Sequence, residues 1–316
     1  MMQFKKPKFW DLKKPNSISI ALKPISIIIK NLVKIKYLVS SRKTYPNIKL
    51  ICVGNIYLGG TGKTSLCLKL YELLSKKYKC CFIKKYYKNQ KDEQMLLENK
   101  GKLYCNKKRS TAIISAINDK YDIAILDDGL QDSEIKFDKE IICFNGKNWI
   151  GNGLTIPSGP LREEFRLLSK YKNICINGDL ENKDLILKEL NNLSKNFKIF
   201  TSEYYPTNID EFEKKKNYLA FSGIGNHKSF ISMLKKYDLK IIKEIEFPDH
   251  YQFSPNDIKK ILNTAEDENL EIITTEKDYL RLNNIDNKKI NYVKSELKLD
   301  NENEFIKIIL EDVNQI

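Results

Sequence analysis

The sequence predicts an α/β protein: a parallel sheet covered by helices, with a second, smaller α/β domain after it. Apolar runs of strand length alternate with helical stretches, at residues 50–53, 80–83, 123–126, 141–144, 174–176 and 199–201. This alternation is typical of parallel sheets with helices on both faces. A polar stretch at 205–216 interrupts it, and the pattern then restarts at 219–221, 241–247, 272–274 and 290–293. We therefore predict three parts, residues 1–40, 41–205 and 206–316.

The glycine-rich segment at 54–65 reads Gly-Asn-Ile-Tyr-Leu-Gly-Gly-Thr-Gly-Lys-Thr-Ser and lies between a predicted strand and an amphipathic helical stretch. In that context the N–H groups of the loop and the positive end of the following helix converge on phosphate. Lys63 is then placed to reach the β- and γ-phosphates, and Thr64 to offer its hydroxyl to Mg²⁺. The larger domain is therefore predicted to be P-loop NTPase-like.

The predicted ATP-binding residues are Tyr57, Leu58, Gly59, Gly60, Thr61, Gly62, Lys63 and Thr64. Tyr57 stands where such loops usually carry their first glycine, and the Gly59–Gly60 doublet supplies the flexibility instead. The alternative is a glycine-rich turn that only packs a helix on a strand.

Two acids, Asp127 and Asp128, directly follow the apolar run at 123–126. The carboxyl end of a buried strand is where the metal-supporting acid of a phosphate-loop enzyme lies. We therefore predict that Thr64, Asp127 and Asp128 hold Mg²⁺. Taken alone, Asp-Asp-Gly after a strand is more often a turn.

The chain is basic, with 55 Lys and Arg against 41 Asp and Glu and a formal net charge of +14. Nucleic acid, an anionic membrane and phosphorylated substrates are all compatible with this charge, as are lysines spread over solvated faces. Seven cysteines occur without a Cys-x-x-Cys pair or zinc spacing, which favours reduced thiols in a cytosolic compartment. A secretory signal is not indicated.

The N-terminal segment combines aromatic residues and lysines with an apolar helical pattern. On a helix that starts near Pro24, one face carries Ile25, Ile28, Ile29, Leu32 and Ile35. Lysines interrupt the run too often for a bilayer span. The pattern predicts a basic amphipathic helix that lies on an anionic membrane. The alternative is an ordinary surface helix packed on the core.

Three further places carry candidate functional residues. Asp92 and Glu93 begin a helix, where acids normally serve the helix dipole. His250 lies in a loop before a well-capped helix, a position that suits proton handling, although lone loop histidines are usually just solvated. Arg162 and Glu163 end a proline-rich turn, where the arginine either clamps phosphate or pairs with its neighbours.

Taken together, the motifs occur in the order of a known family. They are the loop at 53–64, Asp92-Glu93, Leu-Asp-Asp-Gly-Leu-Gln at 126–131, Pro-Ser-Gly-Pro-Leu-Arg-Glu at 157–163, Phe-Ser-Gly-Ile-Gly-Asn at 221–226, Phe-Pro-Asp-His-Tyr-Gln-Phe-Ser at 247–254 and Thr-Thr-Glu-Lys-Asp at 274–278. Over essentially its full length the chain resembles the tetraacyldisaccharide 4′-kinase (lipid A 4′-kinase) family of Gram-negative bacteria. That family also lacks the usual first glycine, which accounts for Tyr57.

The resemblance implies transfer of the γ-phosphate of ATP, with Mg²⁺, to the 4′-hydroxyl of a tetraacylated glucosamine disaccharide 1-phosphate. It places the reaction at the cytoplasmic face of the bacterial inner membrane, with an anionic membrane surface as partner and no nucleic acid. Asp92 matches the acid that accepts the hydroxyl proton, and His250 matches its orienting partner. Lys63, Asp127, Asp128 and Glu163 match further residues needed for activity, and Glu93 matches a Mg²⁺-holding acid.

The chain departs from the family pattern after the second strand. Lys84-Lys85-Tyr86-Tyr87 stands where the family usually has Ser-Arg-Gly-Tyr, and a lysine cannot make the forked contact of an arginine. We assign substrate contacts to Lys85, Tyr87 and Arg162. The rival hypotheses are a P-loop GTPase or metallochaperone, against which no Asn-Lys-x-Asp motif occurs, and a nucleic-acid-binding ATPase suggested by the net charge.

Overall fold

The computed structural model describes residues 6–88, 90–178, 182–282 and 288–311. The described residues divide into two compact units. The larger unit contains Lys6–Tyr87, Leu97–Glu203 and the residues from Leu299 onward, and the smaller contains Lys88–Leu96 and Tyr204–Lys298. The domain boundary at 205/206 stays a prediction. In these units, residues 88–96 belong to the smaller unit and the chain after 298 to the larger.

The strands in chain order are β1 (Lys49–Gly54), β2 (Cys80–Lys85), β3 (Leu103–Asn106), β4 (Ile123–Asp127), β5 (Lys139–Asn145), β6 (Asn173–Asn177), β7 (Lys198–Pro206), β8 (Asn217–Ser222), β9 (Lys240–Glu246), β10 (Glu271–Thr275), β11 (Ile290–Val293) and β12 (Ser295–Leu299). The helices are α1 (Ser17–Val39), α2 (Lys63–Leu74), α3 (Lys91–Lys100), α4 (Arg109–Asn118), α5 (Lys183–Leu193), α6 (His227–Lys236), α7 (Pro255–Asp267), α8 (Glu276–Leu280) and α9 (Glu302–Leu310). Each apolar run singled out in the sequence is a strand.

The larger unit is built on a sheet in which its strands follow the order β7-β6-β5-β1-β4-β2-β3. The pairings from β3 through β2, β4, β1, β5 and β6 to β7 are all parallel. The central strands are buried on both faces, as their continuous apolar runs predict. Register places Val53 of β1 and Lys84 of β2 on either side of Asp127 of β4. The carboxyl ends of these three strands therefore meet at one edge of the sheet.

The smaller unit is built on a parallel sheet with the order β11-β10-β8-β9. Its core packs around Leu219 and Phe221 on one face and around Tyr218 and Ala220 on the other. Helix α7, the well-capped helix expected after His250, begins with a capping box, in which the side chains of Ser254 and Asp257 each accept a hydrogen bond from the other's backbone N–H. The second run of alternating strands and helices in the sequence therefore forms a sheet of its own, as predicted.

Helix α1 begins at Ser17 rather than near Pro24, because the Asn16 side chain caps it by accepting a hydrogen bond from the Ser19 N–H. Proline is tolerated inside this helix. The helix does not pack on the core through its isoleucines, because Ser19 and Ser26 are buried while the isoleucines around them are exposed. Of the helices in the described ranges, none is long and apolar enough to cross a membrane.

Candidate functional site

The glycine-rich loop runs from the end of β1 to the start of α2 and is fixed by two buried amides. Asn55 donates from Nδ2 to Thr61 Oγ1 (2.9 Å), and Asn177 donates from Nδ2 to the Thr61 carbonyl (2.7 Å). Gly62 adopts a left-handed conformation (φ 83°) at the N-cap of α2, which glycine adopts at little cost. Leu58, Gly59 and Gly60 are half-buried. The loop therefore presents the start of α2 as the sequence predicted for a phosphate cradle.

Beside the loop, Asp128 lies between two cations. Arg162 Nη1 donates to Asp128 Oδ1 (2.9 Å) and to Gln131 Oε1 (2.8 Å), and Lys63 Nζ lies 3.6 Å from Asp128 Oδ1. Burial raises the pKa of Asp128, but the charges of Lys63 and Arg162 outweigh it and hold that pKa far below its usual range. Asp128 is therefore a carboxylate that keeps both cations next to the loop.

The adjacent acid, Asp127, meets the first turn of α2. Thr64 Oγ1 donates to Asp127 Oδ2 (3.2 Å), and the Asp127 side chain is fully buried. Asp127 Oδ1 has no hydrogen-bond partner. An unpartnered carboxylate oxygen beside a threonine hydroxyl fits a hard cation that takes oxygen ligands. Thr64 and Asp127 are thus brought together, while Asp128 faces Lys63 and Arg162, and the assignment of all three to Mg²⁺ stays a prediction.

In the described ranges, no group of three or more His, Cys, Asp or Glu side chains is arranged to hold a metal ion by itself. Mg²⁺ commonly keeps several waters and takes further ligands from substrate phosphates, with only one or two protein carboxylates. The Thr64–Asp127 pair suits that open mode of binding.

Glu163 connects to the loop through Gln131, which the sequence analysis did not single out. Gln131 Nε2 donates to the Asn55 carbonyl (3.0 Å) and to Glu163 Oε1 (3.4 Å), and Tyr171 donates its hydroxyl to Glu163 Oε2 (3.2 Å). The Gln131 side chain thus bonds the loop backbone, Arg162 and Glu163. The sequence feature that could have identified Gln131 is its place in the Asp-Asp-Gly-Leu-Gln motif.

Tyr57, predicted among the ATP-binding residues, directs its side chain elsewhere. The ring is buried, and its hydroxyl donates to Asp11 Oδ1 (2.5 Å) and accepts from Lys6 Nζ (3.0 Å). Burial raises the pKa of this phenol. The tyrosine at the usual glycine position therefore fastens the N-terminal segment to the loop.

Lys85 and Tyr87 lie together at the end of β2. The Lys85 ammonium is 5.8 Å from the centre of the Tyr87 ring, and the tyrosine is exposed. A cation over an aromatic face is a favourable contact that leaves both groups accessible to solvent. These two predicted substrate contacts form one accessible pair.

The smaller unit contains a second cluster, centred on Asp92 in the first turn of α3. Arg281 Nη2 donates to Asp92 Oδ2 (2.6 Å), and His250 Nδ1 lies 3.5 Å from Asp92 Oδ1. Arg281 Nη1 also donates to Asp278 Oδ1 (2.7 Å) and to the Gly223 carbonyl (2.7 Å). We call Asp92, Glu93, His250, Lys277 and Arg281 the acid–histidine cluster. The structure thus brings together the predicted pair Asp92 and His250.

The charges of this cluster oppose the effect of burial on both members of the pair. Burial alone raises the pKa of Asp92, but the contact with His250 and the charge of Arg281 lower it to about 2. Burial lowers the pKa of His250, but Asp92, Asp249 and Glu93 outweigh burial and raise it. Asp92 is therefore a carboxylate at every physiological pH, and His250 keeps its proton more readily than a free histidine.

Glu93 lies on the other side of His250. Lys277 Nζ is 3.1 Å from Glu93 Oε1, and His250 Nε2 is 3.9 Å from the same atom. Burial lowers the pKa of Lys277, but Glu93 and Asp92 outweigh burial and raise it. The structure places Glu93 in this cluster with Lys277, and its assignment to Mg²⁺ stays a prediction.

His250 is held by its backbone as well as by the cluster. It adopts a left-handed conformation (φ 57°), and its N–H donates to the Gly223 carbonyl (3.0 Å). A side chain at Gly223 would approach Tyr251 Cβ at 3.1 Å and Asp278 Oδ1 at 3.2 Å. The glycine therefore allows the loops that carry His250 and Arg281 to approach closely.

Arg281 and Lys277 are the members of the acid–histidine cluster that the sequence analysis did not identify. Both belong to α8 or its end, which follows the Thr-Thr-Glu-Lys-Asp motif. The Thr275 side chain caps this helix by accepting from the Asp278 N–H, and Arg281 pairs with Asp278 three residues earlier. The motif was noted in the sequence, but its spacing alone did not indicate that it supplies cations to Asp92 and Glu93.

Comparisons with known proteins agree on one family. The family model described as tetraacyldisaccharide-1-P 4′-kinase matches residues 18–314. The chain is 53% identical over 304 residues to the tetraacyldisaccharide 4′-kinase of Pelagibacter ubique (strain HTCC1062), covering 95% of this chain and 96% of that protein. It is 34% identical over 313 residues to the tetraacyldisaccharide 4′-kinase of Rickettsia felis, covering 91% of each.

A solved structure has the same fold. It is the crystal structure described as the "apo" form of LpxK from Aquifex aeolicus in complex with ATP, with a TM-score of 0.70 and 21% identity. The match covers 94% of this chain and 99% of that chain.

Proposed function

The chain belongs to the tetraacyldisaccharide-1-P 4′-kinase family, and on that premise we propose how its two clusters carry out the reaction. It is an ATP-dependent kinase of lipid A biosynthesis that phosphorylates the 4′-hydroxyl of a tetraacyl disaccharide 1-phosphate. A GTPase, metallochaperone or nucleic-acid-binding ATPase is not favoured. The observation that carries the proposal is the charge arrangement at the loop, where Lys63 and Arg162 flank Asp128 beside the paired Thr64 and Asp127.

In this proposal the loop N–H groups and the start of α2 bind the ATP phosphates, and Lys63 neutralises charge on the β- and γ-phosphate oxygens. Asp128 keeps Lys63 and Arg162 in position until the nucleotide's own charge replaces it as their partner. Thr64 and Asp127 would hold Mg²⁺, which when bound offsets charge on the same phosphate oxygens. Gln131 and Glu163 fix the orientation of Arg162 relative to the loop.

The acid–histidine cluster handles the acceptor hydroxyl. Asp92 accepts a hydrogen bond from the 4′-hydroxyl and takes its proton as the 4′-oxygen bonds to the γ-phosphorus of ATP. The bond from that phosphorus to the β,γ-bridging oxygen breaks, and ADP leaves with the bonding electron pair. A carboxylate with a pKa near 2 is a weak base, but phosphoryl transfer depends on positioning and charge stabilisation more than on base strength. Arg281 and His250 hold Asp92 in one orientation, and the raised pKa of His250 lets it carry a proton next to the carboxylate.

The face of α1 supports a membrane role. Ser26 Oγ donates to the Thr155 carbonyl (3.0 Å) and lies 2.8 Å from Ser158 Oγ, and Ser19 Oγ accepts from Asn152 Nδ2 (3.0 Å), so the helix turns Ser19 and Ser26 to the protein. Its exposed apolar side chains are Ile18, Ile20, Ile25, Ile27, Ile28, Ile29, Leu32, Ile35, Leu38 and Val39. A patch of this kind is typical of a surface that contacts another apolar phase.

We infer that α1 lies on the cytoplasmic face of the inner membrane, with its isoleucines among the acyl chains and its lysines at the anionic headgroups. A lipid acceptor reaches such a protein from the bilayer without leaving it. Lys85 and Tyr87 contact the acceptor, the ammonium meeting phosphate and the ring meeting the sugar or acyl chain. Arg162 serves the transferred phosphate.

The test is ATP-dependent phosphate transfer to a tetraacyl disaccharide 1-phosphate in mixed micelles. We expect Lys63→Ala and Asp92→Asn to lose activity by about 100-fold or more. Lys69→Ala is the matched control, because Lys69 lies on the same helix as Lys63 but pairs with Glu72 and Glu302. Absence of transfer by the folded wild-type chain, or full activity in both site variants, would overturn the proposal.

A further inference from the structure

A buried ammonium group lies directly beside the acid of the nucleotide site. Lys84 is 2% exposed and stands opposite Asp127 in the register of β2 and β4. Its Nζ atom lies 2.6 Å from Asp127 Oδ2, and the Asp127 side chain is fully buried. The two residues thus form a buried ion pair at the carboxyl ends of β2 and β4, next to the loop.

Stability alone does not account for this pair. Removing two charges from water costs free energy, and well-packed apolar residues in place of a buried pair are often equally stable. The same carboxylate oxygen also accepts from Thr64 Oγ1, and the other oxygen, Oδ1, has no hydrogen-bond partner. The charge of Lys84 extends to the next acid as well, since it helps to lower the pKa of Asp128. The ammonium therefore acts on both acids of the site.

We propose that Lys84 is a positioning residue of the nucleotide site, a fixed cation that orients Asp127 and sets how strongly nucleotide binding depends on Mg²⁺. The inference rests on the proposed function, because it concerns the same loop.

The charge of Lys84 has opposite effects on the two ligands of the site. In a buried environment a fixed positive charge attracts the phosphates of a metal-free nucleotide and repels an arriving divalent cation. Without the charge of Lys84, metal-free nucleotide binds more weakly. The negative charge of Asp127 then has no lysine partner and attracts Mg²⁺ more strongly. A residue that only supported the fold would weaken both forms of nucleotide binding together.

The experiment measures binding of the non-hydrolysable analogue AMP-PNP by calorimetry, once in EDTA and once in saturating Mg²⁺. The readout is the ratio of the dissociation constant in EDTA to that in Mg²⁺. Lys84→Gln keeps a hydrogen-bond donor for Asp127 but removes the charge, and should raise the ratio by about tenfold. Lys84→Arg, which keeps the charge, should stay close to wild type. Lys69→Gln is the matched control, an ion-paired lysine at 8% side-chain exposure outside this site.

An unchanged ratio in folded Lys84→Gln, or a raised ratio in Lys84→Arg, overturns the role of Lys84 while leaving the proposed function intact. No AMP-PNP binding by the wild-type chain in either buffer overturns both. A second measurement uses the wild-type chain with ¹⁵N-labelled lysine. The buried ammonium signal that is absent from Lys84→Arg should shift when Mg²⁺ is added to the AMP-PNP complex, and a signal that stays in place contradicts the inference.

Discussion

Replacing Arg281 by methionine should destabilise the smaller unit by about 3 kcal/mol or more. The Arg281 side chain is 3% exposed and pairs with two carboxylates, Asp92 at 1% and Asp278 at 0% exposure. Without the guanidinium, both carboxylates stay buried and lose their shared cation. Removing one partner of a buried ion pair generally costs about 3–5 kcal/mol, and we expect the lower end because His250 still contacts Asp92.

The assay is hydrogen exchange in increasing urea, followed by mass spectrometry of peptides from β8 to β10, which reports the opening free energy of this unit. Lys214→Met is the control in the same unit, since its ammonium lies 3.1 Å from Asp238 and both groups are well exposed. An exposed pair contributes less than about 1 kcal/mol.

A double-mutant cycle with Asp92→Asn then isolates the Arg281–Asp92 contact. We expect Arg281→Met to cost less in the Asp92→Asn background, with a coupling free energy of about 1–3 kcal/mol. Equal costs in both backgrounds, or a cost no greater than that of Lys214→Met, would refute the claim that Arg281 neutralises Asp92.

Three further predictions follow from the same structure. The pKa of Asp92 falls from 3.8 to about 2 on folding. Asp92 should therefore contribute roughly 2 kcal/mol to the free energy of unfolding above about pH 4, and this contribution is lost as the pH falls toward 2. Measured by urea unfolding between these pH values, the stability of Asp92→Asn should depend less on pH than that of the wild type. Arg162→Lys should lower kcat on the order of tenfold with little change in the lipid KM, because lysine cannot make the forked contact with a carboxylate or phosphate; wild-type turnover would contradict this. In sedimentation with phosphatidylglycerol vesicles, the double variant Ile28→Asp/Leu32→Asp should bind about 100-fold more weakly than the wild type, because it loses two apolar groups from the exposed face of α1. The control Ile114→Asp, which also replaces an exposed isoleucine, should bind the vesicles like the wild type.

The phosphate loop and the sheet edge could be predicted because their signals are local. A glycine-rich segment between an apolar run and an amphipathic one specifies strand, loop and helix in order, and the carboxyl ends of parallel strands necessarily bring Asp127 to that loop. Helix α1 could be predicted for the same reason, because its apolar residues recur at helical spacing. Its start was misplaced because the Asn16 cap carries no periodic signal.

The partners of Asp92 could not be predicted from spacing, because they depend on long-range contacts. Arg281 bonds an acid 189 residues earlier in the chain, and no periodicity links the two segments. The orientation of α1 could not be predicted for the same reason. The face that meets the protein depends on the contacts of Ser26 with residues 129 and 132 positions away in the chain. The contact of Tyr57 with Asp11 in the N-terminal segment could not be predicted for the same reason.

The most direct test of the central claim is the position of the transferred phosphate. Wild-type chain is incubated with ATP carrying ¹⁸O in its γ-phosphate and with a tetraacyl disaccharide 1-phosphate, and the product is analysed by ³¹P NMR and tandem mass spectrometry. We predict one labelled phosphate monoester at the 4′-oxygen, an unlabelled phosphate at position 1, and no such product from Lys63→Ala. Label only in inorganic phosphate, or on any other oxygen of the lipid, would contradict the account.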